Sequence, residues 1–180
     1  MNGTEILRND HKQIRRLEKI IVKCYTNLYE NKDIPFSDLE KIISIITEFL
    51  DAIHYAREED QYFPCVLSYG SLKDEIRVFM IEHEFGRRIA ANISKYLQKW
   101  KSGENQREPV TRFLKAYAVY LNDHLTKEDK FFDEAENQVL SQDEEKMMYE
   151  EFQAITAVAT KLDDMIKSID YLESTSWAKT

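Results

Sequence analysis

The chain has 180 residues and a formal net charge of −8, with acidic and basic residues interspersed along it. This length suits one domain, and the absence of a lysine or arginine stripe excludes nucleic acid as an expected partner. No apolar run approaches the roughly 20 residues of a membrane span, and the polar N-terminus shows no signal peptide, so we expect a cytoplasmic protein with no membrane segment.

Few residues in the sequence can break a helix. The chain has four glycines and three prolines, whereas Leu, Ile, Glu, Lys and Ala, which are compatible with helices, are abundant. The two cysteines, Cys24 and Cys65, lack the Cys-x-x-Cys spacing of a zinc or redox motif. The composition therefore predicts an all-α protein with reduced cysteines.

The first two predicted helices set up an apolar interior. The first helix runs from Thr4, its N-cap, to Tyr29, and its apolar stripe includes His11. The second helix starts at a capping box of Ser37 and Glu40 and continues with an apolar inner face. The histidine of the first helix therefore occupies a core position.

The inner face of the second helix ends in a histidine and a carboxylate. Glu58 follows His54 by four residues, and residues at this spacing lie on one face of a helix about one turn apart. An imidazole and a carboxylate can then point at the same spot. Pro64 is expected to bend or end this helix, and Gly70 to close it in the left-handed conformation.

The third and fourth predicted helices repeat this arrangement. Ser71 and Asp74 cap the third helix, which carries His83 on its apolar face. Gly86 inside this helix costs about 1 kcal/mol relative to alanine, which indicates close packing beside the histidine. The fourth helix has Pro109 in its first turn.

A fifth predicted helix follows a capping box of Ser141 and Glu144. It has no histidine, so we expect it either to cover the other helices or to mediate a dimer, and from Glu173 onward we expect a frayed tail. Residues 1–137 are thus predicted to form a four-helix bundle, and residues 138–180 to pack on the same domain. The protein is expected to be a monomer or a homodimer.

All four histidines of the chain fall into a repeat. His11 and His83 are each followed, one helical turn later, by an Arg-Arg pair, and His54 and His124 are each followed one turn later by a glutamate. The separation of His11 and His83 along the sequence is almost the same as that of His54 and His124. Two such helix pairs, packed together, would bring the ligand set of a two-metal centre into one interior. These residues are His11, His54, Glu58, His83, His124 and Glu128.

The competing interpretation is that these residues are hydrogen-bonded core histidines. For one helical histidine on an apolar face, that is the commoner outcome. Burying four histidines and two glutamates together is expensive unless they satisfy one another or bind a cation. The sequence therefore predicts metal binding.

The residues next to the predicted ligands carry weaker signals. Glu59 and Asp129 follow the two helical glutamates and are expected to be solvated acids. Arg15 and Arg87, one turn after a histidine, either pair with carboxylates around the site or extend to solvent. Tyr120, one turn before His124, either hydrogen-bonds a ligand or bridging oxygen or fills the core.

This arrangement of histidines and His-x-x-x-Glu pairs resembles the hemerythrin-like, HHE cation-binding family over roughly residues 5 to 135. The fifth helix is similar to the C-terminal extension of many bacterial and archaeal members. The resemblance implies an up-down-up-down four-helix bundle, here with an additional C-terminal helix, and a non-haem di-iron centre. It also implies that His11 and His54 ligate one iron, that His83 and His124 ligate the other, and that Glu58, Glu128 and an oxo or hydroxo group bridge them.

The sequence departs from the oxygen-carrying members of that family at two positions. Those proteins have a second histidine four residues after the third-helix histidine, where this chain has Arg87. They also have an aspartate five residues after the last histidine, where Asp129 stands, but Glu128 matches the other His-x-x-x-Glu pair and is the preferred bridge. Losing one imidazole would leave an open position on both irons, which disfavours reversible oxygen carriage.

Two functions are consistent with such a centre. One is redox chemistry on a small oxidant, namely peroxide, O2 or NO, by a di-iron oxidoreductase. The other is binding, storage or sensing of iron or of a diatomic ligand without turnover. The sequence leaves open whether the protein is an enzyme.

Overall fold

The computed structural model describes residues 1–154 and 156–179, and no strand occurs among them. The prediction of an all-α protein is therefore confirmed. The helices are α1 (Gly3–Tyr29), α2 (Phe36–Ile45), π1 (Ile46–Tyr55), π2 (Glu58–Tyr62), α3 (Phe63–Ser68), α4 (Lys73–Lys101), α5 (Arg107–Gln138), α6 (Gln142–Ala154), α7 (Thr156–Ser174) and α8 (Ser176–Lys179).

Four long helical units form the bundle. The segments α2, π1, π2 and α3 follow one another within residues 36–68 and act as one helix, here called the composite helix. Helix α1 packs along α5, α5 packs along α4, and the composite helix contacts both α4 and α1. This ring is the predicted up-down-up-down bundle. Within the described part of the chain, no helix has the length and apolarity needed to cross a membrane.

The composite helix is wound more loosely than the sequence analysis assumed. Both π1 and π2 are π-helical, so their hydrogen bonds join residues five apart. The winding returns to α at Phe63, and Pro64 lies in the first turn of α3, where a missing amide proton is tolerated. The helix consequently continues past Pro64 to Ser68. Gly70 follows it with a φ of 76°, as predicted.

Helix α1 starts differently from the prediction. Its N-cap is Asn2, whose side chain accepts a hydrogen bond of 2.8 Å from the amide of Glu5, while the Glu5 carboxylate accepts one of 2.9 Å from the amide of Asn2. Thr4 lies inside the helix and is buried, with its hydroxyl against Glu145 and Tyr62. The capping box at Asn2 and Glu5 leaves Thr4 free to bind α6.

The other helix starts also show which capping signals hold. Pro35 precedes α2, and its restricted φ of −56° directs the chain into the helix with no side-chain cap. Leu72, with a φ of 55°, precedes α4, again with no side-chain cap. The predicted pair Ser141 and Glu144 does form at the start of α6, whereas Ser37 with Glu40 and Ser71 with Asp74 do not.

Two clusters of buried hydrophobic residues fill the bundle. A predominantly aliphatic cluster begins on α1 at Ile14, and an aromatic cluster lies at the other side of His11. Helix α6 adds Met148 and Phe152 to the aromatic cluster, and α7 packs on the aliphatic one. Of the two predicted roles for this part of the chain, covering the bundle is the one seen. Ile155, in the predicted fifth helix, lies outside the described residues.

The frayed tail expected from Glu173 onward is wrong. Helix α7 runs to Ser174, and the short helix α8 follows it. Trp177 is 8% exposed, and its indole nitrogen donates a hydrogen bond of 2.8 Å to Asp38. The side-chain amide of Asn27 donates to the Trp177 carbonyl at 2.9 Å. This buried aromatic anchor orders a segment whose polar sequence suggested fraying.

Candidate metal centre

The six predicted ligands converge in the middle of the bundle. Each helix brings its residues to the boundary between the two hydrophobic clusters, as His11 does between Leu7 and Ile14. Both clusters exclude water from this level of the bundle. None of the six residues is more than 2% exposed. They are His11, His54, Glu58, His83, His124 and Glu128.

All four imidazoles direct Nε2 towards the two glutamates. Glu128 Oε1 lies 3.2 Å from Nε2 of His124 and 3.4 Å from Nε2 of His83. Its other oxygen lies 3.4 Å from Nε2 of His11. Glu58 lies 3.5 Å from Nε2 of His54 through one oxygen and 3.4 Å from Nε2 of His83 through the other. Each carboxylate therefore touches imidazoles from both repeats.

These separations suit atoms that share a cation better than atoms that share a proton. Ligands each about 2.1 Å from one ion lie roughly 3 to 4 Å apart, whereas N–H···O bonds are mostly 2.7–3.2 Å. Buried atoms without a hydrogen-bond partner include both oxygens of Glu58 and Nε2 of His11, His54 and His124. Among the described residues, two groups could hold a metal ion, namely His11, His54, Glu58 and Glu128, and His83, His124 and Glu128.

The electrostatics of the interior also favour a cation. Burial raises the pKa of Glu58 well above its usual value, and the charge of Glu128 raises it further. Burial also opposes ionisation of Glu128, but His124, His11 and His83 outweigh it and hold its pKa well below the usual range. Burial lowers the pKa of His54 to about 4. Two ionised glutamates can coexist here only with positive charge between them, supplied by a bound cation or by protonated imidazoles such as those of His11 and His83, whose pKa values the neighbouring carboxylates raise against the opposing effect of burial.

The outer nitrogen of each histidine, Nδ1, faces a second carboxylate, and an arginine or lysine side chain binds that carboxylate. His11 Nδ1 lies 2.7 Å from Asp129, and Arg15 donates to Asp129 at 2.6 Å. A carboxylate accepts only, so Nδ1 carries the proton and Nε2 faces the glutamates. The equivalent trio in the other repeat is His83, Glu59 and Arg87, with distances of 2.7 Å and 2.9 Å.

The remaining two histidines also face a carboxylate that a basic residue binds, but His54 Nδ1 makes no hydrogen bond to its carboxylate. His54 Nδ1 lies 3.5 Å from Asp10, to which Arg57 donates at 2.6 Å. His124 Nδ1 lies 2.8 Å from Glu82, which accepts from Lys127 at 2.6 Å. Corresponding acidic and basic residues of the two repeats are separated along the chain by the same numbers of residues as the corresponding histidines. The two halves of the centre are thus related by an approximate twofold symmetry that follows from the sequence repeat.

These trios revise the predictions for the neighbouring residues. Glu59 and Asp129, expected to be solvated acids, bind histidines instead, because each faces the neighbouring helix of the bundle. Arg15 and Arg87 pair with these carboxylates, which was one of their two predicted roles. Sequence analysis missed the other two trios, although the repeat contained the signal. An acid directly precedes His11 and His83, and a base follows His54 and His124 by three residues.

Two tyrosines stack on the imidazoles of one half of the centre. The Tyr55 ring stacks on His83 with centroids 3.7 Å apart, and the Tyr120 ring stacks on His124 at 5.3 Å. Their hydroxyls share a hydrogen bond of 2.9 Å. Tyr120 therefore fills the core, and its hydroxyl hydrogen-bonds to Tyr55 rather than to any of the six predicted ligands. A Cβ at Gly86 would lie 2.6 Å from the Tyr120 ring, which explains the glycine there.

The chain matches a known protein family over most of its length. Residues 2–135 match the family model described as Hemerythrin HHE cation binding domain. The match spans α1 to most of α5 and includes all six residues at the centre. Searches among curated proteins and among solved structures found no match.

Proposed function

The chain belongs to the hemerythrin HHE cation-binding family, and from this premise we propose that it is a non-haem di-iron protein that carries out redox chemistry on peroxide, O2 or NO. The observation that carries the proposal is the buried interior in which four imidazoles and two carboxylates face one another, mostly without hydrogen bonds. Imidazole and carboxylate donors suit iron. The proposed ligands are His11 and His54 for one ion, His83 and His124 for the other, and Glu58 and Glu128 for both.

The residues of the chain have distinct tasks in this proposal. The carboxylates beside Nδ1 hold each imidazole in one orientation with its Nε2 lone pair available. The arginines and Lys127 balance the charge of those carboxylates. The two hydrophobic clusters keep water away. Bound iron would supply the exchange of two electrons and a coordination position for the oxidant.

The surroundings of Arg87 favour turnover over reversible carriage. Its guanidinium donates to Asp51 at 2.6 Å and to Glu59 at 2.9 Å, and an arginine has no lone pair to offer a metal. The half of the centre formed by His83 and His124 therefore has two imidazoles, like the other half. Neither half has more imidazoles than the other, so both can accept a small oxidant.

Metal analysis and activity assays test this proposal together. Protein from iron-replete cells is expected to contain about two metal ions per chain, mainly iron, with near-ultraviolet charge-transfer absorption in the oxidised form. The loaded protein should consume NO or release O2 from peroxide faster than an equal concentration of free iron. A single zinc ion, or no metal after reconstitution, would refute the di-iron assignment. Stoichiometric binding of an oxidant without turnover would instead support a storage or sensing role.

The trios around the histidines lead to a separate prediction. Replacing Asp10 with alanine is expected to lower the affinity for Fe2+ by about 10- to 100-fold, because His54 Nδ1 loses the negative charge that faces it and Arg57 loses its partner. Asp33→Ala is the control, since it also breaks an arginine ion pair but at the end of the bundle where α5 begins. Anaerobic competition with a chromophoric chelator gives both affinities. Equal affinities in the two variants would show that Asp10 does not support the site.

A further inference from the structure

A surface pocket of about 230 Å³ lies between the composite helix and α4, beside the tyrosine-covered half of the centre. We call it the tyrosine pocket. Its rim includes Asp51 and Arg87, which are partly exposed and joined by an ion pair. Its buried inner wall consists of Ile46, Tyr55, Gly86, Ala90 and Tyr117.

The tyrosine pocket exists because the two repeats differ at this place. When the repeats are aligned on His11 and His83, Ala90 of α4 corresponds to Glu18 of α1, and Ala91 corresponds to Lys19. When they are aligned on His54 and His124, Tyr55 corresponds to Leu125. The second repeat therefore has small side chains, and faces an aromatic ring, where the first has long side chains and faces a leucine. The ligand trios are preserved in both repeats, whereas the lining of this pocket is not.

One polar group in the inner wall lacks a partner. Tyr117 is 1% exposed and lines the pocket, yet its hydroxyl has no hydrogen bond to any residue that the structure describes. The neighbouring hydroxyls of Tyr55 and Tyr120 bind each other. Burial raises the pKa of the Tyr117 phenol, and the charge of Asp51 adds to this, so the group stays neutral and can both donate and accept. This hydroxyl is therefore available to a molecule that enters the pocket.

The size and chemistry of the pocket define the ligand class. A dry protein cavity of about 150 Å³ holds benzene, so this pocket has room for one substituted ring. The side chains of Ile46 and Ala90 provide an apolar wall for such a ring. Arg87 is already paired with Asp51 and Glu59, which disfavours an anionic ligand. We propose that the tyrosine pocket binds a small neutral phenol, whose ring lies against Ile46 and Ala90 and whose hydroxyl hydrogen-bonds to Tyr117.

The position of the ligand would place it close to the candidate metal centre. Tyr55, which lines the pocket, is stacked on His83, so a bound phenol is separated from a proposed ligand by one aromatic ring. The pocket itself is formed by residues other than the six at the centre. Phenol binding therefore does not depend on the proposed di-iron function.

Calorimetric titration with phenol and with toluene tests the proposal on protein as purified and again after metal removal. Ala90→Leu fills the pocket and is expected to weaken phenol binding at least tenfold, by the cost of overpacking. Tyr117→Phe removes one hydrogen bond and is expected to weaken phenol binding about fivefold while leaving toluene binding unchanged. Ala116→Leu, on an exposed position of α5 outside the pocket, is the control and should bind phenol like the wild type.

Each outcome decides the matter. The proposal is supported if phenol binds the wild type but not Ala90→Leu, and if Tyr117→Phe weakens the binding of phenol but not that of toluene. No heat of binding in either metal state of the wild type overturns it. So does equal binding by Ala90→Leu, or an equal effect of Tyr117→Phe on phenol and toluene. If the chain takes up no iron, the titration of the metal-free protein still gives an answer, so the two proposals fail separately.

Discussion

Replacement of Glu128 by glutamine is expected to reduce the metal content from about two ions per chain to less than one. The change keeps the shape of the side chain but removes the negative charge. Glu128 contacts His11, His83 and His124, and it is the carboxylate present in both groups that could hold a metal. Loss of this anion should therefore weaken both halves of the centre. Inductively coupled plasma mass spectrometry after anaerobic reconstitution gives the content.

Two variants control this result. Glu134→Gln changes the same residue type on the exposed side of α5 and should keep both ions. Asp129→Asn tests the alternative bridge: its oxygen can still accept from His11, so most of the metal should remain. If Asp129→Asn empties the site and Glu128→Gln does not, the assignment of the bridge is reversed.

Removal of metal is expected to lower the free energy of unfolding by about 4 kcal/mol for each bound ion, compared with protein in metal at a thousand times its Kd. Without a cation, the centre buries two carboxylates and several imidazole nitrogens that lack hydrogen-bond partners. A metal that binds only the folded state offsets this cost. Urea denaturation followed by circular dichroism, with and without Fe2+ under anaerobic conditions, measures the difference.

The same denaturation on Glu128→Gln separates specific from general effects of metal. That variant should unfold at nearly the same urea concentration whether or not Fe2+ is present, since it holds little of it. Coincident wild-type curves with and without metal would contradict the prediction. They would mean that the buried polar groups satisfy one another without an ion.

The sequence was sufficient to predict how the six residues come together because their spacing is periodic. His54 and Glu58, like His124 and Glu128, lie one helical turn apart, and the apolar stripes orient all four helices towards a common interior. The family match and the helical fold agree with this inference. Periodic patterns survive small errors in helix bounds, so wrong capping residues did not disturb the prediction.

Other features depended on contacts between distant residues and could not be predicted. Glu59 would be solvated if only its own helix were considered, but it meets His83 across the bundle. Trp177 is ordered by Asp38, which lies on α2 at the other end of the sequence. The π-helical winding that carries His54 has no simple sequence signal, although such winding is common at functional sites.

The packing of α1 along α5 has a consequence for how the protein is made. His11 and Asp129 are far apart in the sequence, and the group that contains His11 and His54 also requires Glu128 from α5. A chain emerging from the ribosome therefore cannot complete even half of the centre until nearly all four bundle helices have been synthesised. Such distant contacts slow folding, and the unfinished bundle exposes apolar surface meanwhile. Metal loading would then follow synthesis of α5, and nascent chains that stop before α5 should be devoid of tightly bound metal.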